Sequence, residues 1–219
     1  MIAVYNDGDL GVYKHNGTTL ETRKELVCNY STSNTSANGT KMGETPYWDE
    51  FLASHPDSGG DRWPTSSNGT TYKIDFGNTW NAPLSQKMGE AKNMPFWEVA
   101  EQSKNGGSLS LQDQPELKAQ GRLFNGKYTS TESMGNYLAG YNANQAGMPT
   151  YDGFQRIAGA LELQTHGRPD IKLGKLEMIK LATGVTSYGT HPLHGELIQQ
   201  YRMSKLGWDS YVRPQMVVK

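Results

Sequence analysis

The sequence predicts an α+β fold: an N-terminal β-hairpin and a small antiparallel sheet, followed by a helical C-terminal half. Three observations lead there. Short apolar runs broken by turn residues crowd the N-terminal part, including IAVY and LGVYKH around Asn6-Asp7-Gly8-Asp9, and TYKIDF. Apolar residues at helical spacing dominate from Met134 onward. The 219 residues are 35% hydrophobic and include 25 glycines, which suits one domain, 1–219, with a modest core and many loops.

Taken in order, Ile2–His15 reads as a hairpin, because Asp and Gly supply the left-handed backbone of a tight turn. Thr18–Val27 reads as a short helix and Asn29–Lys41 as a Ser/Thr/Asn-rich loop. Thr71–Phe76 alternates as a half-buried strand. Thr79–Ala91 and Pro95–Lys104 are helical, the second with Pro95 at the favoured first position. Ser108–Leu111 is a possible strand, and Asn125-Gly126 marks a second hairpin.

The clearest local pattern is TSTESMGNYLAGYNANQAG. Thr129 and Glu132 have the spacing of a capping box, and Met134, Tyr137, Leu138 and Tyr141 form one apolar stripe. Gly135 and Gly140 each cost roughly 1 kcal/mol relative to Ala in a helix interior, so something is expected to approach the backbone closely. Tyr151–Leu163 continues helical with Thr150 as its cap. Ile171–Leu181 is apolar without a clear period, and a last helix runs from about Pro192 to Lys205.

The charge balance, 21 basic against 22 acidic residues, lacks the basic footprint of a duplex-binding protein. A lone Cys28 excludes a disulfide framework and a cysteine zinc cluster. No apolar run reaches a membrane span, and no basic-then-apolar signal peptide opens the chain.

Candidate chemistry rests on acids. MGETPYWDEFL sets Glu44, Asp49 and Glu50 among Tyr47, Trp48 and Phe51, and carboxyl groups against aromatic rings suit general-acid work. The same residues equally suit a helix start with its rings in the core. Glu132 and Glu196 are the candidate second carboxylates, since paired-acid hydrolysis needs two acids brought together by the fold and no short motif. Tyr47, Trp48, Asn136 and Tyr137 are the candidate substrate contacts, rings for sugar faces and an amide for hydroxyls.

His191, His194 and Glu196 lie in THPLHGE, but the histidines are three apart with Pro192 between, unlike the metalloprotease helix. Polar residues at a helix start are the simpler reading, and no metal or other cofactor is expected. There is no phosphate-binding Gly loop, no GxSxG elbow and no supported Cys–His pair, so nucleophilic Ser or Cys chemistry has no motif.

Three segments taken together resemble the C-terminal toxin domains of Rhs-type polymorphic toxins: NDGDLGVYKHN with MGETPYWDEF, SMGNYLAGYNA with AGAL, and YGTHPLHGELIQQYR. The likeness spans nearly the whole chain, and it departs at His194, where the family has an aromatic residue. It implies delivery into a target cell by a type VI or contact-dependent secretion system. It also implies a carrier toxin and a cognate immunity protein as partners. Joined to the acids, it gives the expectation of an antibacterial effector that hydrolyses a glycan, peptidoglycan foremost. The alternatives are a cytosol-acting nuclease using His191 or His194 and a non-enzymatic structural domain of a secretion system.

Overall fold

The computed structural model describes residues 3–4, 10–15, 39–47, 50–51, 72–166 and 168–212. The α+β class is as expected. Among the described residues six strands, β1 (Ala3–Val4), β2 (Gly11–His15), β3 (Gly39–Glu44), β4 (Lys73–Thr79), β5 (Gln120–Phe124) and β6 (Lys127–Ser130), form one sheet in the order β1-β2-β3-β6-β5-β4. Six helices among the described residues follow or interleave: α1 (Asn81–Ala91), α2 (Phe96–Gln102), α3 (Thr131–Gln145), α4 (Tyr151–His166), α5 (Lys175–Ala182) and α6 (Ile198–Ser210). No helix among the described residues is long and apolar enough to cross a membrane.

The chain divides into two compact units, Met1–Ala82 with Gln114–Glu132, and Pro83–Asp113 with Ser133–Lys219. All six strands belong to the first unit. The expected N-terminal hairpin is there, with Ala3 opposite Lys14 and Val4 opposite Tyr13. So is the Asn125-Gly126 hairpin, whose two turn residues have φ of 48° and 80°, the left-handed pair that a two-residue turn demands. The sheet is mixed where an antiparallel one was expected: β3 meets β6 parallel at Glu44–Lys127, and β4 runs parallel to β5. The reason is connectivity, since neither pair is joined by a hairpin and each closes through a long intervening segment.

Val12, Phe51, Tyr72, Ile74, Ala119 and Tyr128 form the core of this unit. Phe51 and Tyr72 meet edge to face with centroids 5.4 Å apart. A side chain at position 121 would collide with Ile74 Cδ1 and Phe51 Cε1, so the β5 backbone at Gly121 lies directly on those rings. Trp80 is wholly buried and donates from Nε1 to the Thr129 carbonyl at 2.7 Å.

The second unit is helical. Its main core gathers Ala143, Met148, Phe154, Ile157, Ala160, Met178, Leu181 and Ala182, and a smaller one Ala91, Val99 and Leu109. The stripe on α3 is buried as its spacing predicts, with Met134, Tyr137 and Leu138 enclosed. Thr150 caps α4 through its Oγ1, which accepts the Gly153 N–H at 3.0 Å. The apolar, aperiodic run after Ile171 resolves into α5.

Four local expectations are corrected. Thr129 is a strand residue paired with Arg122, so the α3 helix starts at Thr131 and no Thr129–Glu132 capping box forms. Pro95 precedes α2 with extended backbone, φ −69° and ψ 157°, rather than opening it. Ser108–Leu111 forms turns, and the last helix starts at Ile198 instead of near Pro192.

Candidate active site

In the first unit the chain returns three times to one place. After β3, Thr45 N–H donates to Leu10 O at 2.8 Å, and its Oγ1 donates to Tyr47 O at 2.8 Å, which turns the segment inward. Glu50 follows and is buried, its Oε1 accepting the Ser130 N–H at 2.7 Å. Ser130 ends β6, and Glu132 stands two residues on in the first turn of α3, where the helix dipole favours a negative charge. Thr131 between them is locked by its hydroxyl, which donates to Leu117 O and accepts the Gln120 N–H at 3.0 Å.

Tyr72, at the entry to β4, completes the group. Burial pushes its phenol well above the ordinary value, and the carboxylates of Glu132 and Glu50 add to that, against a smaller opposing effect from Ser130. The Tyr72 hydroxyl is enclosed without a partner at standard hydrogen-bond geometry. Glu132 therefore acts on it as a charge and a loosely placed acceptor, and the phenol stays protonated at any physiological pH. Two acids separated by 82 positions in the chain thus bear on one buried hydroxyl, framed by Phe51.

The remaining candidates fall elsewhere. Glu44 ends β3 and pairs with Lys41 at 3.3 Å with its side chain 46% exposed, a surface ion pair. Tyr47 is half-buried in the same unit. Trp48 and Asp49 lie outside the described residues. Asn136, Tyr137 and Glu196 belong to the second unit. Tyr137 is buried on α3, with its carbonyl against Gly207 of α6, and Asn136 is half-buried on the same helix.

Glu196 was expected in the first turn of a helix, but it precedes α6 and is buried. Burial is the main cause that raises its carboxyl to about 8, opposed by the Gln155 amide and reinforced by Glu162. Its Oε2 and the Gln155 Oε1 are both enclosed without a partner. Beside it, Gln155 Nε2 donates to Tyr151 Oη at 2.8 Å and to Ser204 Oγ at 3.1 Å.

The histidines of THPLHGE also depart from expectation. His194 is buried in a left-handed turn, φ 51°, while His191 is exposed at the surface. The His194 carbonyl lies against Gly159 and Gly189, where an added Cβ would come within 2.1 and 2.2 Å of it. Its Nε2 is 3.0 Å from Asp152 Oδ1 and its Nδ1 is 3.2 Å from Ser187 Oγ. Asp152 Oδ2 in turn accepts Arg156 Nε at 2.8 Å. Although desolvation pushes the Asp152 carboxyl up, hydrogen bonds from Arg156 and His194 outweigh it and hold the group below the ordinary value.

No family model, no curated protein and no solved structure matches this chain. The serine–histidine–aspartate grouping is the part that residue patterns missed. Asp152 opens a helix, Ser187 follows another, and His194 sits in a turn, so no short motif joins them. The one local signal was the pair of glycines flanking the THPLH segment, which announces close backbone contact but not its partner.

Proposed function

We propose that this protein is a secreted antibacterial effector that hydrolyses a glycan, with Glu50 and Glu132 as its carboxylate pair. The observation that carries the reading is the gathering of both acids at the end of β6, where Glu50 accepts the Ser130 N–H at 2.7 Å and Glu132 follows two residues on in the first turn of α3. Glu50 is the more enclosed carboxyl, and it is assigned to protonate the leaving oxygen. Glu132, in the first turn of α3, is assigned as the base or nucleophile on the sugar carbon. Tyr72 lies beside the pair as a buried, neutral phenol. Tyr47, half-buried in the same unit, offers a ring to the sugar.

The likeness to Rhs-type toxin domains supports delivery into a target cell by a specialised secretion system. It also supports a carrier from which the domain is released and an immunity protein that neutralises it. Peptidoglycan is the glycan that fits that role.

The test is release of soluble muropeptides from purified sacculi by the full chain. Wild type is expected to release them, and Glu50→Gln and Glu132→Gln each to slow release by roughly 10²–10⁴-fold with unchanged melting temperature. Sacculi left intact by wild type, or variants as active as wild type, would overturn the reading.

A further inference from the structure

We propose that Ser187, His194 and Asp152 form a second catalytic site, a nucleophilic serine that hydrolyses carboxylic esters. It lies within the helical unit and involves none of the acids assigned to glycan cleavage.

The geometry supplies each role. An ionised carboxylate can only accept, so at 3.0 Å from Asp152 Oδ1 the His194 Nε2 carries the proton. Nδ1 has two neighbours, Ser187 Oγ at 3.2 Å and the Gly189 carbonyl at 3.4 Å, and in the neutral ring its lone pair accepts from the serine once the hydroxyl turns away from that carbonyl. The ring is used with its nitrogens in the reverse of the chymotrypsin arrangement, and the roles are decided by geometry, not by which nitrogen faces which partner. The serine hydroxyl also lies 2.9 Å from Gly189 O. One bond rotation therefore moves its proton between the resting acceptor and the base.

Both ends of the assembly are held. Glu177 Oε1 accepts Thr186 Oγ1 at 3.0 Å and Tyr188 Oη at 3.0 Å, which grips the chain on each side of Ser187. Arg156 fixes the free oxygen of Asp152 and reaches Thr186 O at 3.4 Å. His194 is buried with its backbone pinned between two glycines, so its ring has little freedom. Its left-handed φ is uncommon for a residue with a side chain, and such a conformation persists only where the surroundings enforce it. Ser187, in contrast, is exposed, so a substrate reaches it from solvent.

The reaction balances without any added reagent beyond water. Ser187 Oγ bonds to the ester carbonyl carbon as its proton passes to His194 Nδ1, and the imidazolium is stabilised by Asp152. The carbon–alkoxide bond breaks, and Nδ1 returns the proton to the departing alcohol. Water then gives a proton to Nδ1 while its oxygen attacks the acyl-serine. The bond between the acyl carbon and Ser187 Oγ then breaks, Nδ1 returns its proton to Oγ, and the carboxylic acid is freed. An ester is the substrate class because its alkoxide leaves more readily than an amine, which suits a nucleophile at an open surface.

The full chain is to be treated with an alkyl fluorophosphonate, and in parallel with p-nitrophenyl butyrate. Ser187 is expected to be phosphonylated with loss of fluoride, located by peptide mass, and Ser187→Ala to be unlabelled. Ser187→Ala should also lose at least roughly a hundredfold in ester kcat/KM while releasing muropeptides like wild type. For Asp152→Asn, labelling should slow at least tenfold and its pH midpoint move downward, because the imidazolium loses its counter-charge. A purely structural Asp152 would leave that midpoint in place. Absence of label on Ser187, or ester turnover by Ser187→Ala at the wild-type rate, would overturn the proposal.

Discussion

Glu196 shows how far one carboxyl can depart from what its neighbours in sequence suggest. Its folded value near 8 lies above the 4.5 of an exposed glutamate, so the folded chain binds a proton that the unfolded chain releases. Below about pH 4.5 both states are protonated and Glu196 costs nothing. Between 4.5 and 8 the unfolded state ionises first, and stability falls by up to about 1.4 kcal/mol per pH unit. Glu196→Gln is therefore expected to stabilise the protein at pH 7.5 and to flatten the decline between pH 5 and 8, measured by urea denaturation across that range. The charged group bearing on it is Glu162, and Glu196 in turn adds to the rise of the Tyr151 phenol. A glutamate in an exposed first helical turn, as its sequence context implied, would show neither effect. What misled was proximity to Pro192, which marks a turn here and not a helix start. Glu50, by comparison, was legible as an acid among rings, because Phe51 and Tyr47 stand beside it in the chain.

At the scale of elements, the two glycines of α3 separate cleanly. A Cβ on Gly140 would lie 1.9 Å from the Ser204 carbonyl, and one on Gly207 would lie 1.8 Å from the Tyr137 carbonyl, so α3 and α6 touch backbone to backbone. Gly135 faces open space. Gly140→Ala is expected to lower stability by about 3 kcal/mol, since a rigid backbone must retreat. Gly135→Ala should raise it by up to about 1 kcal/mol, the ordinary helix preference. Thermal melts of the two variants decide the matter, and equal effects would deny the distinction. The spacing of Met134, Tyr137 and Leu138 made the helix readable, because periodicity is local information. Which glycine mattered was not readable, because the deciding contact is 64 positions away at Ser204. The loop reading of Asn29–Lys41 is corrected at its end, where β3 starts at Gly39: GTKMGE carries no alternation, and only pairing with β2 and β6 makes it a strand. The same ladder claimed Thr129 from the helix, since strand pairing with Arg122 satisfies its backbone before any cap could.

For the molecule as a whole, the expected role makes the compartment the sharpest variable. Full-length chain directed to the periplasm of a test bacterium should lyse cells within a few generations, while the same chain kept in the cytosol should leave them intact. Time-lapse microscopy reads both, and Glu50→Gln with Glu132→Gln should abolish the lysis. Cytosolic toxicity with nucleoid loss would favour a nuclease instead. The α+β plan was visible because turn signals and helical stripes occupy different stretches of the chain. The two sites were visible to different degrees. Acids near aromatic rings announce themselves, whereas Asp152, Ser187 and His194 are each unremarkable until α4, α5 and the turn before α6 bring them into register.

The peptide carbonyl of His194 has glycine backbone on either side, at 159 and 189. Even one methyl group there would wedge the turn apart, so neither neighbour can serve as a place to retune the histidine. Variation is left to the short stretch from Thr190 to Leu193, whose side chains face outward or half outward. Anyone wishing to redirect the serine toward other acyl groups would begin a mutant library at His191 and Leu193, leaving the glycine vice untouched.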